Sequence, residues 1–306
     1  MLLGWANGAN DAANVFGTAV ASRIVRYRTA VILAATFIII GAVIQGAGGI
    51  RTLSELTAQD KLSAFLATTV AALTVIVMTR LRMPVSSAQA TVGAIIGMGL
   101  ARSAKDVQWG GLVKVVTCWV GTPITAALIA FFLYPVLAWC LDRLRLNILG
   151  RSRVLKGGLI LTGCYGAYAM GGNSAANVCG VFYSAGLLND NIRLLALIGG
   201  ASIALGVLTY SKGVMMTVGS GLVQLDAFSA LVAVAAQAMT VHIYAFIGVP
   251  VSTSQAIVGG VLGIGVLKGV KTVNFRILVR ILLAWVATPL IAGVVAFVAA
   301  IVASMI

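Results

Sequence analysis

An internal duplication constrains the fold of this chain more than any other feature. Residues 84–100 read PVSSAQATVGAIIGMGL, and residues 250–266 read PVSTSQAIVGGVLGIGV, at an offset of 166 residues. The segment GANDAAN from Gly8 recurs as GGNSAAN from Gly171, almost at the same offset. Three further residues keep the offset: Trp119, Thr122 and Pro123 recur as Trp285, Thr288 and Pro289. The fold must therefore contain two copies of one structural unit.

Composition places both copies in a lipid bilayer. Of the 306 residues, 60% are apolar and 9% are charged, and the mean hydropathy is +1.07. These values are typical of an all-helical protein with several transmembrane segments and exclude a soluble enzyme. The net charge of +14 does not indicate nucleic-acid binding, because the basic residues lie in short connections where the positive-inside rule explains them.

No residue cluster indicates an enzyme or a bound cofactor. The four cysteines lie in apolar stretches without the spacing of a metal site or a disulfide framework; they are Cys118, Cys140, Cys164 and Cys179. No activated nucleophile or carboxylate pair is evident, and His242, the single histidine, lacks an obvious partner. A satisfied buried histidine and a residue that takes part in proton coupling are both open interpretations of His242.

Ten apolar segments are separated by short connections. They are 1–22, 29–48, 62–79, 84–101, 110–141, 157–188, 193–211, 227–249, 250–267 and 276–306. The third and fourth are joined only by residues 80–83, and the eighth and ninth have no polar linker. Each of these pairs predicts a tight helical hairpin with Pro84 or Pro250 at its turn, either spanning the bilayer or re-entering from one side.

The basic residues predict the orientation of the segments. They collect after the first segment, between the repeats and after the second hairpin: Arg23, Arg26, Arg28, Arg143, Arg145, Arg151, Arg153, Lys156, Lys268, Lys271 and Arg276. Placing all three connections in the cytoplasm leaves both termini outside. Each repeat then crosses the bilayer an odd number of times, so the copies have inverted topology. We divide the chain into a first repeat at 1–141, a basic cytoplasmic linker at 142–156 and a second repeat at 157–306.

The first segment of each repeat carries glycines beside polar residues. Gly8, Gly171 and Gly172 predict a broken helix whose freed carbonyl groups can coordinate a cation. About fifteen residues precede the motif in the second repeat and only seven in the first, so the first helix is expected to be short by about two turns. Either the chain is trimmed there or its true start lies upstream.

A single carboxylate lies inside an apolar segment. Asp11 is that residue, whereas the other six acidic residues fall in or beside connections. An intramembrane carboxylate predicts a cation ligand or a proton carrier, with helix capping or pairing with a lysine as the structural alternatives. The oxygens of Asn10 and Asn14 suit Na+ or another hard cation better than a transition metal.

The hairpin turns carry the pattern of an anion site. Proline precedes hydroxyl residues at the start of a helix in both copies, so free backbone N–H groups and hydroxyls are presented together. The residues concerned are Ser86, Ser87, Ser252, Thr253 and Ser254. Ordinary helix capping is the alternative. Gln89 and Gln255, one turn further on, can complete cation or anion coordination or bridge two helices.

These motifs resemble those of the inorganic phosphate transporter (PiT) family of Na+- or H+-coupled phosphate symporters. The matching segments are GANDAANVFGTAVASR from Gly8, the two PVS[ST] turns and GGNSAANVCG from Gly171. The resemblance implies an inverted-repeat transporter with paired re-entrant hairpins, phosphate at the hydroxyl-bearing turns, and a homodimer. It also implies cation ligands among the Asn and Asp residues of the two signatures, which are Asn10, Asp11, Asn14, Asn173 and Asn177. We add Ser174, whose hydroxyl can bind Na+, and Gln89 and Gln255 to the predicted cation ligands, with Na+ at Asp11, Asn14 and Asn177.

The chain departs from the family pattern at three positions. Ser174 stands where the second signature usually has aspartate, Val181 replaces a common proline, and Ala88 replaces the hydroxyl that the second turn keeps as Ser254. Loss of a carboxylate leaves the number of coupled cations open. Relatives that carry sulfate also have altered signatures, so sulfate is the closest rival substrate.

The sequence therefore predicts a cell-membrane symporter that couples phosphate uptake to a cation, most simply Na+, by alternating access. Na+ is the coupling ion, and no cofactor is expected. Proton coupling and a sulfate permease of the same family are alternatives. A passive oxyanion channel is a further alternative from a different class, and it would not need Asp11.

Overall fold

The chain is helical throughout the part that the computed structural model describes, which is residues 1–80, 85–188, 191–221, 226–269 and 275–305. Ten α-helices lie in these ranges: α1 Leu2–Ala21, α2 Tyr27–Ser54, α3 Lys61–Arg80, α4 Ser87–Arg102, α5 Trp109–Arg143, α6 Ile148–Ser184, α7 Ile192–Gly221, α8 Ala227–Ile247, α9 Thr253–Lys268 and α10 Phe275–Ser304. Pro84 and Lys271, which the sequence analysis singled out, lie outside the described residues.

Six of these helices are long and apolar enough to cross a bilayer. The qualifying stretches are Tyr27–Ser54, Lys61–Arg80, Trp109–Arg143, Ile192–Met216, Ala227–Ile247 and Ile281–Ser304. In contrast, α4 and α9 have 16 residues each. A helix of that length reaches about 24 Å, less than the roughly 30 Å of a hydrocarbon core. This length favours the re-entrant form of the two hairpins, α3–α4 and α8–α9.

The two repeats, α1–α5 and α6–α10, interlock by reciprocal packing. Helix α1 packs on α7 and α6 on α2, while α4 packs on α10 and α9 on α5. The chain of α1 runs parallel to α7, because Gly4 lies against Ser202 and Gly8 against Val207. Helix α6 runs parallel to α2 in the same way. Since α2 returns after the short connection 22–26, α1 and α6 run in opposite directions, as the predicted inverted topology requires.

The predicted break in the first helix of each repeat was wrong. Helix α1 continues through the GANDAAN segment, and α6 continues through GGNSAAN. The glycines instead allow close helix contacts. A Cβ atom on Gly8 would lie 1.9 Å from the carbonyl oxygen of Ile203, and one on Gly171 would lie 2.1 Å from that of Ile38. The carbonyl groups of these segments therefore stay in helical hydrogen bonds and are not freed for a cation.

The predicted linker at 142–156 is partly helical. Helix α5 ends at Arg143 and α6 begins at Ile148, so only residues 144–147 connect the two. Asn147 caps α6, because its side-chain oxygen accepts a hydrogen bond from the backbone N–H of Gly150 at 2.7 Å. The basic side chains predicted for this linker therefore lie partly on the first turns of α6. The domain boundaries themselves stay a prediction.

An ion pair closes the open end of each hairpin. Asp60 pairs with Arg102, and Asp226 pairs with Lys268, at positions that keep the 166-residue offset. Both aspartates also accept backbone N–H groups at the start of the first hairpin helix. The backbone hydrogen bond of Ser63 lowers the pKa of Asp60. Burial opposes the shift at Asp226, but the hydrogen bonds from Lys268 and Ser229 lower its pKa to about 2.

Substituting alanine for Gly8 is expected to destabilise the protein. The added Cβ atom would clash with the backbone of α7, which cannot move aside as a flexible side chain would. The two helices must therefore separate, which lowers the free energy of unfolding by about 1–3 kcal/mol. Thermal unfolding in detergent measures the effect. Gly157→Ala is the matched control, because a Cβ atom there meets nothing within 4 Å. Equal melting temperatures for the two variants would contradict the packing role of Gly8.

Asp226→Asn is expected to lower stability by about 1 kcal/mol at neutral pH, since it removes an ion pair and weakens a helix cap. The folded-state pKa lies below the ordinary 3.8. The carboxylate therefore stabilises the fold above pH about 4, and its contribution is lost as the pH falls towards 2. Thermal unfolding of both proteins across this range checks the sign. A stability difference that stays constant down to pH 2 would rule out the carboxylate as its origin.

Candidate functional site

The two hairpin tips meet the polar segments of α1 and α6 at the centre of the molecule. The first tip comprises the described residues 85–88 and the second comprises residues 249–254. The hydroxyl of Ser254 donates a hydrogen bond to the carbonyl oxygen of Val85 at 3.3 Å, so the tips contact each other directly. The predicted phosphate-binding residues of both tips are all buried.

Both tip helices begin with the same serine cap. The hydroxyl oxygen of Ser86 accepts a hydrogen bond from the backbone N–H of Gln89 at 3.3 Å, and that of Ser252 accepts one from Gln255 at 3.2 Å. Each cap uses one lone pair and leaves the hydroxyl hydrogen free to donate elsewhere. Because the tips contact each other, the N-termini of α4 and α9 converge, each with about half a positive charge. This arrangement favours an anion between the tips.

Asp11 lies at this junction without a cationic partner among the described residues. Its side chain is 2% exposed. Oδ1 accepts a hydrogen bond from Asn10 Nδ2 at 2.9 Å, and Oδ2 accepts one from the hydroxyl of Ser87 at 3.0 Å. Asp11 is in the middle of α1, so it does not cap the helix. A buried carboxylate with only neutral donors is costly, and a bound cation would relieve that cost.

Two asparagines connect the second tip to both signature helices. Asn14 Nδ2 of α1 donates to the hydroxyl oxygens of Thr253 and Ser254, both at 3.1 Å. Asn173 of α6 binds the backbone of Val251 twice, because its Nδ2 donates to the carbonyl oxygen and its Oδ1 accepts the N–H, both at 2.8 Å. The second tip is thereby held by α1 and α6 together.

The described part of the first tip has fewer such contacts. Asn10, the counterpart of Asn173, contacts Asp11 and accepts a hydrogen bond from the hydroxyl of Thr79, and it makes no hydrogen bond to the described tip backbone. Asn177, the counterpart of Asn14, is buried with both amide atoms unpaired among the described residues. The two hydroxyls that Asn14 binds correspond to Ser87 and Ala88 in the first tip, so Asn177 has one hydroxyl fewer to meet. The two halves of the site are therefore chemically unequal.

Several buried oxygens at the junction lack a hydrogen-bond partner within the described residues. They belong to Ser174, Asn177, Gln89 and Gln255. Carbonyl and hydroxyl oxygens are ligands that Na+ accepts, and leaving them unpaired costs about 1–3 kcal/mol each. Their presence fits the predicted cation ligands. The role of Asn173 as a cation ligand stays a prediction, because both atoms of its side-chain amide are hydrogen-bonded to Val251.

Asn7 is a site residue that the sequence analysis missed. It is fully buried, and neither amide atom has a partner in the described part of the chain. It precedes Asp11 by four residues and Asn14 by seven, so the three side chains share one face of α1. This spacing was available in the sequence. Asn7 has no polar counterpart in the second repeat, where Met170 occupies the position.

His242 has a partner on α6. Its Nδ1 shares a hydrogen bond with the hydroxyl of Tyr165 at 2.8 Å, and its ring packs near those of Tyr165 and Tyr168. This contact supports the interpretation of His242 as a satisfied histidine between helices. A role in proton coupling stays a prediction.

Comparison with known proteins gives a consistent result. A sequence model described as "Phosphate transporter family" matches residues 7–157 and again residues 149–296. The chain is 31% identical to "Putative phosphate permease MJ0630" of Methanocaldococcus jannaschii over 95% of this chain and 91% of that protein. It is 27% identical to "Sulfate permease CysP" of Bacillus subtilis over 92% of this chain and 80% of that protein. A solved structure titled "The sodium-dependent phosphate transporter" shares the fold, with a TM-score of 0.88 and 23% sequence identity. The match covers 100% of this chain and 97% of the other.

Asn173→Ala is expected to loosen the second tip, because it leaves the N–H and carbonyl group of Val251 unpaired in a buried place. Loss of two hydrogen bonds predicts destabilisation of about 1–3 kcal/mol. Hydrogen–deuterium exchange should become faster in residues 249–253. Asn10→Ala, at the equivalent position of the first repeat, is the matched control and should leave exchange at the second tip unchanged. Equal exchange in the two variants would contradict the role of Asn173 in holding the second tip.

Proposed function

The chain belongs to the phosphate transporter family, and we propose that it imports inorganic phosphate together with Na+ by alternating access across the cell membrane. The observation that carries this proposal is the buried carboxylate of Asp11, hydrogen-bonded to Ser87 at the anion-binding tip. A cation site and an anion site that share a hydrogen bond cannot be filled independently.

Charge compensation is the physical basis of the coupling. Phosphate carries one to two negative charges at neutral pH, and a bare anion in a low-dielectric interior is strongly unfavourable. The tips supply helix N-termini and neutral donors, and no lysine or arginine is among the buried residues in the described part of the chain. A co-bound cation therefore supplies the balancing charge. Phosphate in turn favours the cation, which is the reciprocity that symport requires.

The contact between Asp11 and Ser87 suggests how one ligand prepares the site for the other. The Ser87 hydroxyl donates to Asp11 Oδ2. A Na+ ion on that oxygen takes the place of the hydrogen, so the hydroxyl turns and donates to phosphate. Sodium binding thereby converts Ser87 from a carboxylate donor into an anion donor.

We assign the remaining residues of the site to the same two ligands. Phosphate binds the tip hydroxyls and backbone N–H groups of Ser86, Ser87, Ser252, Thr253 and Ser254. Na+ binds Asp11 with Asn14 and Asn177, and further oxygens come from Asn10, Asn173, Ser174, Gln89 and Gln255. The unpaired oxygens of Ser174, Asn177, Gln89 and Gln255 support this assignment.

Alternating access follows from the inverted repeats. Each hairpin reaches the site from its own side of the bilayer, so movement of one hairpin exposes the site to one side only. From the positions of the basic connections we also propose that both termini lie on the extracytoplasmic side. We also propose a homodimer, following the family resemblance, with the apolar outer helices α5 and α10 facing lipid or the second subunit.

Sulfate is the second candidate substrate. A sulfate permease is similar to this chain over most of its length, and Ala88 and Ser174 lack the hydroxyl and the carboxyl group of their counterparts in the other repeat.

Uptake of radiolabelled phosphate into proteoliposomes, with and without an inward Na+ gradient and with excess sulfate, separates the candidates. Gradient-driven uptake that sulfate does not block supports the Na+/phosphate symporter. Uptake that sulfate blocks supports the permease, and uptake indifferent to Na+ supports proton coupling or a channel.

Asp11→Asn is expected to abolish Na+-driven phosphate uptake, at least 100-fold, while the protein stays folded. The amide keeps the size of the carboxylate but removes the charge that holds Na+. Uptake assays and thermal unfolding in detergent measure the two effects separately. Asp106→Asn, an exposed aspartate beyond α4, is the control and should transport normally. Normal Na+-coupled uptake by Asp11→Asn would refute the assignment.

A further inference from the structure

Two buried tryptophans carry unpaired N–H groups at equivalent positions of the repeats. Trp119 is 8% exposed and Trp285 is 7% exposed, and neither Nε1 has a hydrogen-bond partner among the described residues. Indole nitrogen can only donate, and buried tryptophans usually find an acceptor. The same unpaired donor in both copies of a duplication indicates a shared use.

Trp285 lies beside the first tip helix. Helix α10 runs parallel to α4 in close contact, because a Cβ atom on Gly93 would be 2.2 Å from the carbonyl oxygen of Pro289, and one on Gly97 would be 2.1 Å from that of Gly293. One turn earlier on the two helices, Trp285 comes level with Gln89. Helical side chains lean towards the N-terminus of their own helix, which here is the direction of the tip.

Trp119 has the same relation to the second tip helix. Gly259 packs on the carbonyl group of Pro123 and Gly263 on that of Ala127, so α5 runs parallel to α9. Trp119 is then level with Gln255. Because the two tips touch through Ser254 and Val85, both indoles lie about one helical turn from the same junction.

We propose that Trp119 and Trp285 donate their indole N–H groups to the transported oxyanion, one from each repeat. The proposal rests on the proposed function, since it assigns further residues to the phosphate site. Phosphate needs many donors where no lysine or arginine is among the buried residues that the structure describes, and a neutral N–H supplies one without adding charge. A cation does not satisfy an N–H group. The neighbouring Gln89 and Gln255 oxygens remain available to Na+.

Trp119→Phe and Trp285→Phe test the proposal by removing the N–H while keeping an aromatic ring. Each should weaken phosphate binding about 10-fold, since a hydrogen bond to a charged group is lost. The loss should appear in the KM for phosphate with the maximal rate much less changed. Trp139→Phe, at an exposed position near the end of α5, is the control and should keep the wild-type KM.

A spectroscopic measurement on the intact indoles distinguishes hydrogen bonding from packing. In a variant with Trp5, Trp109 and Trp139 replaced by Phe, ¹⁵N-labelled indole leaves two N–H resonances. Adding phosphate in the presence of Na+ should move both downfield, and adding Na+ alone should move neither. Resonances that ignore phosphate while the protein transports it would overturn the proposal. So would Phe variants that lower the maximal rate at unchanged KM.

Failure of the proposed function gives a different result. If wild-type protein takes up sulfate in place of phosphate, the indole resonances should respond to sulfate and not to phosphate, and the donor role stands with another oxyanion. If neither anion moves the resonances although one is transported, the donor role is wrong while the transport assignment survives.

Discussion

The arrangement at the centre of this protein depends on holding opposite charges together in a place that excludes water. Asp11 is buried in α1 and has only neutral donors among the described residues, and the N-termini of α4 and α9 converge beside it. Neither a lone carboxylate nor a lone oxyanion is stable in such surroundings. Three features keep these groups together. They are the two hairpins, the close helix contacts at glycines, and the hydrogen bonds of Asn14 and Asn173 to the second tip.

The duplication gives the two halves of the site the same geometry, and the positions at which the repeats differ make the two halves chemically unequal. Equivalent serines cap α4 and α9, and equivalent ion pairs close both hairpins. In contrast, Asp11 is matched by Ser174 and Ser254 by Ala88. The second tip is therefore held by Asn14 and Asn173, whereas the described part of the first tip contacts α1 through Ser87.

Much of the fold and of the site could be predicted from the sequence, because duplicated motifs and an intramembrane carboxylate are local patterns. The tips, Asp11 and Asn14 come together as those patterns indicated. The continuous helices could not be predicted, since Gly8 permits either a break or a close contact and only the position of α7 decides between them. The different uses of Asn10 and Asn173 were also hidden, because identical residues gave no sign of unequal partners. The pairing of Asp60 with Arg102 was visible in the 166-residue offset and was overlooked.

Equilibrium binding of radiolabelled phosphate to the purified protein, measured as Na+ replaces choline at constant ionic strength, tests the central claim most directly. The account predicts that phosphate affinity rises with Na+, that Na+ affinity rises with phosphate by the same factor, and that Asp11→Asn loses both effects. Phosphate affinity that is equal in Na+ and choline would show that the two ligands do not share their charges, and it would contradict the account.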